Sequence, residues 1–217
     1  MLEQLSENKK VMYLGIFMVW LFHLSGIIGM SMGHSDWFLS KTIVNLLVAL
    51  FFLILCYPVL SAKSIKVAAF VFMTGMVVEW IGVHNDWLFG SYYYGNNLGP
   101  KIYGVPLVIG VNWLTLTFIT SAMVMKKLGN KWLEIATASA LMVFLDFFIE
   151  VSAPPFDFWI WPEGEAPLRN FIAWFCIAFV LHYVVQKANI KWNSVFSWQV
   201  YLAQLVFFMY FYFFPLF

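Results

Sequence analysis

Charged residues are scarce in this sequence of 217 residues, at 11% of the total, whereas a soluble domain carries about a quarter. Apolar residues make up 63%, and the mean hydropathy is +0.82. The net charge of +1 supplies no basic surface, so the composition gives no indication of nucleic acid as a partner. These values are typical of an integral membrane protein.

Cysteine is also rare, and no motif of a resident cofactor is present. Cys56 and Cys176 both lie in apolar runs without metal-ligand spacing, so we interpret them as buried hydrophobes. The sequence has no phosphate-binding glycine loop, no H-E-x-x-H or C-x-x-C pattern, and no haem or flavin signature. We therefore expect no metal and no cofactor.

Long apolar runs, in contrast, are abundant, and about 20 apolar residues suffice to cross a membrane. Seven runs predict transmembrane helices: 11–32, 42–60, 65–83, 105–125, 131–151, 170–186 and 195–214. The first run is too long for the core of a signal peptide, so we expect it to be retained. The sequence thus predicts a single all-α membrane domain over 1–217, a polytopic bundle of about seven transmembrane helices.

The basic residues are distributed unequally between the two ends of the predicted spans. One set of ends holds nine of them: Lys9, Lys10, Lys63, Lys66, Lys126, Lys127, Lys131, Lys187 and Lys191. The other set holds three: Lys41, Lys101 and Arg169. By the positive-inside rule, we expect a cytoplasmic N-terminus and an outside C-terminus in a multi-pass protein of the cell membrane, taken to be a bacterial inner membrane. Loops 84–104 and 152–169 would then both face outward.

Several polar side chains fall within the outer halves of the spans or at their outer ends. They come from six segments: His23, Asn45, Glu79, Asn112, Asp146, Glu150 and Asn170. An ionised acid costs about 2.5–3.5 kcal/mol at the bilayer centre, and intramembrane acids usually mark function. A set of polar groups at one level therefore indicates a functional site, with helix–helix hydrogen bonding as the alternative.

The segment LDFFIE (145–150) places two carboxyl groups on one helix face. Asp146 and Glu150 are four residues apart, about 6 Å along a helix axis. Two like charges at that separation in a low dielectric do not both ionise readily, so we expect at least one group to stay protonated. A protonated carboxyl group is a general acid. Two alternatives remain open: solvation of Glu150 at the interface, and a structural hydrogen bond from Asp146.

Three other patterns are interpreted more simply. His84 and Asp86 form an H-x-D pair without further ligands, which favours loop hydrogen bonds over a metal. His23, alone on an apolar span, is typical of a satisfied interior histidine. The third and fifth spans each end with acidic residues, and each is followed by a loop and a Pro-Leu pair. This similarity is a weak indication of internal duplication.

Aromatic residues are unusually frequent, with 24 Phe, 11 Trp and 10 Tyr, or 21% of the chain. Aromatic faces stabilise cations. A carboxylic acid that protonates an alkene creates a carbocation, which aromatic walls can shelter while a second polar group positions water. The residues thus favour acid-catalysed chemistry on a lipid-soluble alkene that enters from the bilayer.

Segments 79–113 and 145–175 carry motifs that are specific in combination. The first contains an acid, then G-x-x-x-x-x-x-F-G-x-Y-x-Y, G-V-P-L and N-W, and the second contains D-x-x-x-E, W-x-W and N-F-x-x-W. Both resemble the membrane carotenoid-biosynthesis protein family, which includes carotenoid 1′,2′-hydratases and bisanhydrobacterioruberin hydratases. The sequence departs from the family pattern at Val151, where many members have proline, so the backbone after Glu150 is expected to differ.

The resemblance implies a cofactor-independent hydro-lyase that adds water across the terminal C1′=C2′ bond of an acyclic carotenoid end group. We expect Asp146 to donate the proton and Glu150 either to tune the pKa of Asp146 or to guide water. Glu79 is the rival proton donor. Asn112 and Asn170 are expected to hold water. The residues expected to line the polyene channel or shield the cation are Trp113, Tyr92, Tyr94, Trp159, Trp161 and Trp174. The partners are a carotenoid from the bilayer and water, and neither the particular carotenoid nor the oligomeric state is determined.

Three other functions compare as follows. A membrane lycopene-type cyclase also needs an acid and a cation cage, so this alternative stays open. A proton-coupled small-molecule transporter would relay protons across the bilayer, whereas these acids lie at one level. A retinal photoreceptor needs a lysine inside a span, and the last span, 195–214, has none.

Overall fold

A computed structural model describes residues 9–57, 61–190 and 193–216 of the chain. Eight helices account for most of these residues: α1 (Lys9–Ser31), α2 (Ser35–Leu39), α3 (Thr42–Cys56), α4 (Ala62–His84), α5 (Leu107–Val124), α6 (Lys131–Ser152), α7 (Leu168–Ala188) and α8 (Ser194–Phe213). Short two-residue strands occur only in the connections. The prediction of an all-α membrane bundle is confirmed.

Six helices among the described residues are long and apolar enough to cross a membrane, namely α1, α4, α5, α6, α7 and α8. The predicted span 42–60 differs, because α3 has 15 residues and ends at Cys56. At 1.5 Å per residue it is about 22 Å long, short of a hydrocarbon core of about 30 Å. Residues 58–60 of that predicted span lie outside the described residues.

Helix α5 lies at the centre of the bundle. It contacts α3, α4, α6, α7 and α8, and 14 of its 18 residues are buried. Its sequence is apolar on nearly all sides, as expected for a helix without a solvent or lipid face. Gly110 permits close packing, because a Cβ atom there would lie 2.6 Å from the ring of Phe72.

Proline fixes where the two helices after the long loops begin. Pro106 and Pro167 occupy the position directly before α5 and α7. The missing N–H of proline is tolerated at a helix start, since that donor has no partner within the helix. The helix therefore begins two residues later than the predicted span 105–125, and Val105–Pro106 instead form a strand.

The two long loops lie against each other at one end of the bundle. Strand β1 (Tyr93–Tyr94) pairs antiparallel with β4 (Trp159–Ile160), and within the first loop β2 (Lys101–Ile102) pairs with β3 (Val105–Pro106). The Gly95 amide donates to the Phe158 carbonyl at 2.9 Å, extending the contact between loops. This pairing confirms that both loops share one end. The orientation relative to the cytoplasm stays a prediction, and Lys191 lies outside the described residues.

Gly95 is required for this pairing of loops. A Cβ atom on Gly95 would lie 2.3 Å from the backbone oxygen of Asp157, which cannot rotate away. We expect Gly95→Ala to lower the free energy of unfolding by about 1–3 kcal/mol through overpacking. Thermal unfolding in detergent measures the effect, with exposed Asn96→Ala as the control in the same loop. Equal stability of the two variants would contradict the loop contact.

Candidate active site

Three carboxyl groups are buried at the end of the bundle where the long loops meet. Glu79 lies five residues before the end of α4, and Asp146 and Glu150 lie one turn apart near the end of α6. Their side chains are 3%, 1% and 8% exposed, respectively. The alternative of a solvated Glu150 at the interface is therefore wrong. A buried carboxyl group requires partners, and two of the three have them.

Glu79 accepts three hydrogen bonds. The Tyr92 and Tyr94 hydroxyls both donate to its Oε2 atom, at 2.7 and 2.6 Å, and the Trp113 indole donates to Oε1 at 2.8 Å. Both tyrosines belong to the first long loop. Burial, together with the adjacent Glu79 charge, raises the pKa of Tyr92 and Tyr94 well above the ordinary phenol value. Both phenols therefore remain hydrogen-bond donors at neutral pH.

Glu150 is held in an equivalent way by the second long loop and α7. The Trp159 and Trp161 indoles both donate to its Oε2 atom, at 2.8 and 2.7 Å. The Asn170 amide donates to Oε1 at 2.8 Å. Charge-assisted bonds of this kind are about twice as strong as neutral ones. The two loops thus each supply a pair of donors to one glutamate.

Asp146 differs from both glutamates. Its Oδ2 atom is buried without a hydrogen-bond partner among the described residues. It interacts electrostatically with Glu150 and Glu79, so the three carboxyl groups form one cluster. The alternative of a structural helix–helix hydrogen bond from Asp146 is not observed. A neutral carboxylic acid is the form that such surroundings accept at least cost.

Two stacked indoles join the halves of the site. Trp113 and Trp174 have ring centroids 4.0 Å apart and an interplanar angle of 21°. Each lies seven residues after the proline that precedes its helix, Pro106 or Pro167. The stack therefore relates equivalent positions of α5 and α7. Together with the β1–β4 pairing, it supports the internal duplication that the sequence indicates weakly.

A small cavity of about 20 Å³ lies between the two glutamates, and we call it the acid cavity. Its lining residues are Glu79, Phe89, Tyr92, Tyr94, Ile109, Asn112, Glu150, Trp159, Trp161, Asn170 and Trp174. Of the predicted site residues, only Trp113 and Asp146 are absent from this wall. Trp113 is fully buried behind Glu79, to which it donates.

A larger and mostly apolar cavity of about 100 Å³ adjoins the acid cavity, and we call it the apolar cavity. The two share Ile109, Asn112 and Trp159 as lining residues. The walls of the apolar cavity include side chains of α1, α3 and α8, such as Phe22, Leu46 and Phe207. These three shared side chains therefore lie between the two cavities.

The apolar cavity also carries polar groups with unused hydrogen-bonding capacity. The side-chain amides of Asn112 and Gln204 make no hydrogen bond to any other described residue, and Asn45 Oδ1 is buried without a partner there. Gln204 was missed by sequence reasoning, although a glutamine inside the apolar run 195–214 is a visible signal. Such amides are available to water or to an oxygen of a ligand.

His23 behaves as the sequence predicts, whereas His84 differs. His23 is buried, and its Nδ1 donates to the Val19 carbonyl at 2.7 Å. His84 makes the same kind of bond to the Trp80 carbonyl at 2.9 Å, so its partner lies within α4 and not in the loop, where the sequence favoured it. Within residues 9–57, 61–190 and 193–216, no group of three His, Cys, Asp or Glu is arranged to hold a metal ion.

The donors on Glu150 are expected to stabilise the folded protein. Trp161→Phe keeps an aromatic side chain, although a smaller one, and removes the indole N–H, and a hydrogen bond to a charged group contributes about 1.5–3 kcal/mol. We expect a loss of that size in thermal unfolding. Trp87→Phe, at a loop position 69% exposed, is the matched control. A double variant with Glu150→Gln should show less than the summed losses, and simple additivity would contradict the contact.

Comparisons with known proteins relate the chain to a family and to one relative. A family model described as carotenoid biosynthesis protein matches residues 40–216, most of the chain. A bisanhydrobacterioruberin hydratase from Haloarcula japonica is 27% identical over 105 residues, which cover 45% of this chain and 36% of that protein. The match thus spans about a third of the relative's length. No solved structure matches the chain.

The match over residues 40–216 includes both acid-bearing helices, both long loops and the helices that follow them. The chain is therefore a membrane-embedded member of the carotenoid biosynthesis protein family.

Proposed function

We propose that this protein adds water across the terminal C1′=C2′ double bond of an acyclic carotenoid end group, giving a tertiary 1′-hydroxyl. The observation that carries the proposal is the pair of buried glutamates on one aromatic-walled cavity beside a larger apolar one. Acid-catalysed hydration needs a proton donor, shelter for a cation and a water molecule. The two cavities offer each of these.

The apolar cavity suits the polyene. Its walls are mostly apolar, with phenylalanine and leucine as the commonest side chains, and a carotenoid dissolved in the bilayer is apolar along its length. The shared residues Ile109 and Trp159 mark where an end group would pass into the acid cavity. The reactive double bond would then meet the carboxyl groups at membrane depth.

The acid cavity suits a carbocation. Trp159, Trp161 and Trp174 present indole rings to it, and cations near such faces gain about 0.5–2 kcal/mol. A carboxylate that already accepts three donors adds a fixed negative charge beside the cation. Preorganised charge of this kind is usually the largest contribution to lowering a barrier.

Water capture can use the free amides. Asn112 lies on the wall common to both cavities, with its amide uncommitted among the described residues. It remains the candidate to hold the attacking water, as expected from the sequence. Asn170 was also expected to hold water, but its N–H₂ group donates to Glu150, so we propose that it positions that carboxylate instead.

Two carboxyl groups are candidates for the proton donor. Asp146, favoured from the sequence, has the surroundings of a neutral acid but does not line either of the two cavities. Glu79, the rival, faces the acid cavity directly. All three acids lie at one end of the bundle, which supports a localised reaction over a proton path across the membrane. The relative from Haloarcula japonica is named as a hydratase, which supports the same reaction class.

Expression in a lycopene-accumulating bacterial cell tests the function. We expect the pigment to gain the mass of one water for each end group that reacts, measured by mass spectrometry of the extracted carotenoids. The matched control is the triple variant Glu79→Gln, Asp146→Asn, Glu150→Gln, which keeps side-chain shape and should leave lycopene unchanged. A cyclised pigment of unaltered mass would identify the cyclase alternative, and unchanged lycopene in cells with folded wild-type protein would contradict the proposal for this substrate class.

A further inference from the structure

The two glutamates occupy equivalent places, yet their partners differ in chemistry. The β1–β4 register places Tyr94 opposite Trp159, so each loop directs its pair of aromatic donors at its own glutamate. On Glu79 the pair consists of phenols, and on Glu150 it consists of indoles. In both cases the two donors converge on the same Oε2 atom. The loop donors converge in the same way on both glutamates and differ in hydrogen-bonding type, and the third donor differs as well, with the Trp113 indole on Glu79 and the Asn170 amide on Glu150.

That change decides which glutamate can carry a proton. A phenol oxygen both donates and accepts hydrogen bonds, whereas an indole N–H only donates. If Glu79 is protonated, its O–H can donate to Tyr92 or Tyr94 after a hydroxyl rotates. If Glu150 is protonated at Oε2, its O–H faces two N–H groups that cannot accept it. Such a clash would leave buried donors unsatisfied, at about 1–3 kcal/mol each.

We propose, on the basis of the hydration proposed above, that Glu79 alone alternates between acid and carboxylate, while Glu150 remains a carboxylate throughout. Tyr92 and Tyr94 are positioning residues that satisfy Glu79 in both of its forms. Trp159, Trp161 and Asn170 hold Glu150 in its charged form. The first half of the duplicated site is thus the proton-transfer half, and the second half is a fixed electrostatic element.

The reaction balances with one cycling acid. The Glu79 carboxyl group gives its proton to C2′, the π electrons form the new C–H bond, and the positive charge is left on C1′. The water oxygen then bonds to C1′, and the resulting oxonium returns one proton to the Glu79 carboxylate. Glu79 is restored as the acid, the product is the tertiary alcohol, and no external proton or oxidant is required.

Infrared spectroscopy of the resting protein tests the assignment without any substrate. We expect one band of a protonated carboxyl group to disappear in Glu79→Gln and to persist in Glu150→Gln. Asp146→Asn identifies any band that belongs to Asp146. A protonated-carboxyl band lost in Glu150→Gln and kept in Glu79→Gln would overturn the proposal.

The phenols provide a second test that does not require replacing an acid. In the double variant Tyr92→Phe/Tyr94→Phe, the Glu79 band should shift in frequency because its acceptors are gone. The turnover number should fall at least about 100-fold, the usual contribution of general acid–base catalysis, with KM changed far less. Tyr93→Phe, whose side chain is 52% exposed between the two, is the matched control and should resemble the wild type. An unshifted band with wild-type turnover in the double variant would overturn the positioning role.

Failure of this inference is distinguishable from failure of the hydration itself. Protein with the expected bands that converts no carotenoid would contradict the hydration and leave the two protonation states standing. In the opposite case, Asp146→Asn abolishes conversion while Glu79→Gln still hydrates the carotenoid. That result would support the proposed hydration but overturn the assignment of Glu79, and Asp146 would be the proton donor.

Discussion

The whole site depends on one physical constraint: a carboxylate placed inside an apolar bundle must be surrounded by hydrogen-bond donors. Glu79 and Glu150 each accept three, and these six bonds have lengths of 2.6–2.8 Å. Without the donors, burial of a carboxylate at either position would oppose folding by several kcal/mol per ion. The donors therefore stabilise the fold and set the chemistry at the same time.

The constraint explains why the long loops have their shape. Helix backbones have no free donors in mid-span, so the donors must come from side chains, and four of the six come from the two loops. The loops reach the carboxyl groups only because they pair with each other through β1 and β4. Irregular backbone at this depth is tolerated when it packs against protein. The pairing of the two loops thus determines both where the donors lie and how the cavity is shaped.

The proposed function depends on a difference between the two halves of the site. The stacked Trp113 and Trp174 keep the halves in fixed relation, while the donor types on Glu79 and Glu150 differ. An acid that can change its protonation state beside one that cannot is a suitable arrangement for adding the elements of water to an alkene. In the proposed hydration, the apolar cavity next to it is the route by which a substrate of the bilayer would reach the acids.

Much of this arrangement could be predicted from the sequence, and the missing parts have identifiable physical causes. Long apolar runs predicted the helices, and the expense of intramembrane charge identified all three acids. The short length of α3 was not predicted, because hydropathy does not show where a helix ends inside an apolar run. The roles of the tryptophans as hydrogen-bond donors were missed. A sequence with aromatic residues near an interface looks the same whether their side chains face lipid or a carboxylate. Gln204 was visible as a polar residue in an apolar run, but its neighbours depend on tertiary packing.

The central claim is that the paired loops hold both glutamates over one cavity, and a cross-link across the β1–β4 pair tests it most directly. Tyr93 and Ile160 are register partners, so cysteines at both positions, in a chain whose Cys56 and Cys176 are replaced by serine, should form a disulfide under mild oxidation. The account predicts an efficient intramolecular cross-link and retained carotenoid conversion in the oxidised protein. Absence of the cross-link in active protein, or formation at equal rate with a cysteine at exposed Tyr103 instead of Tyr93, would contradict it.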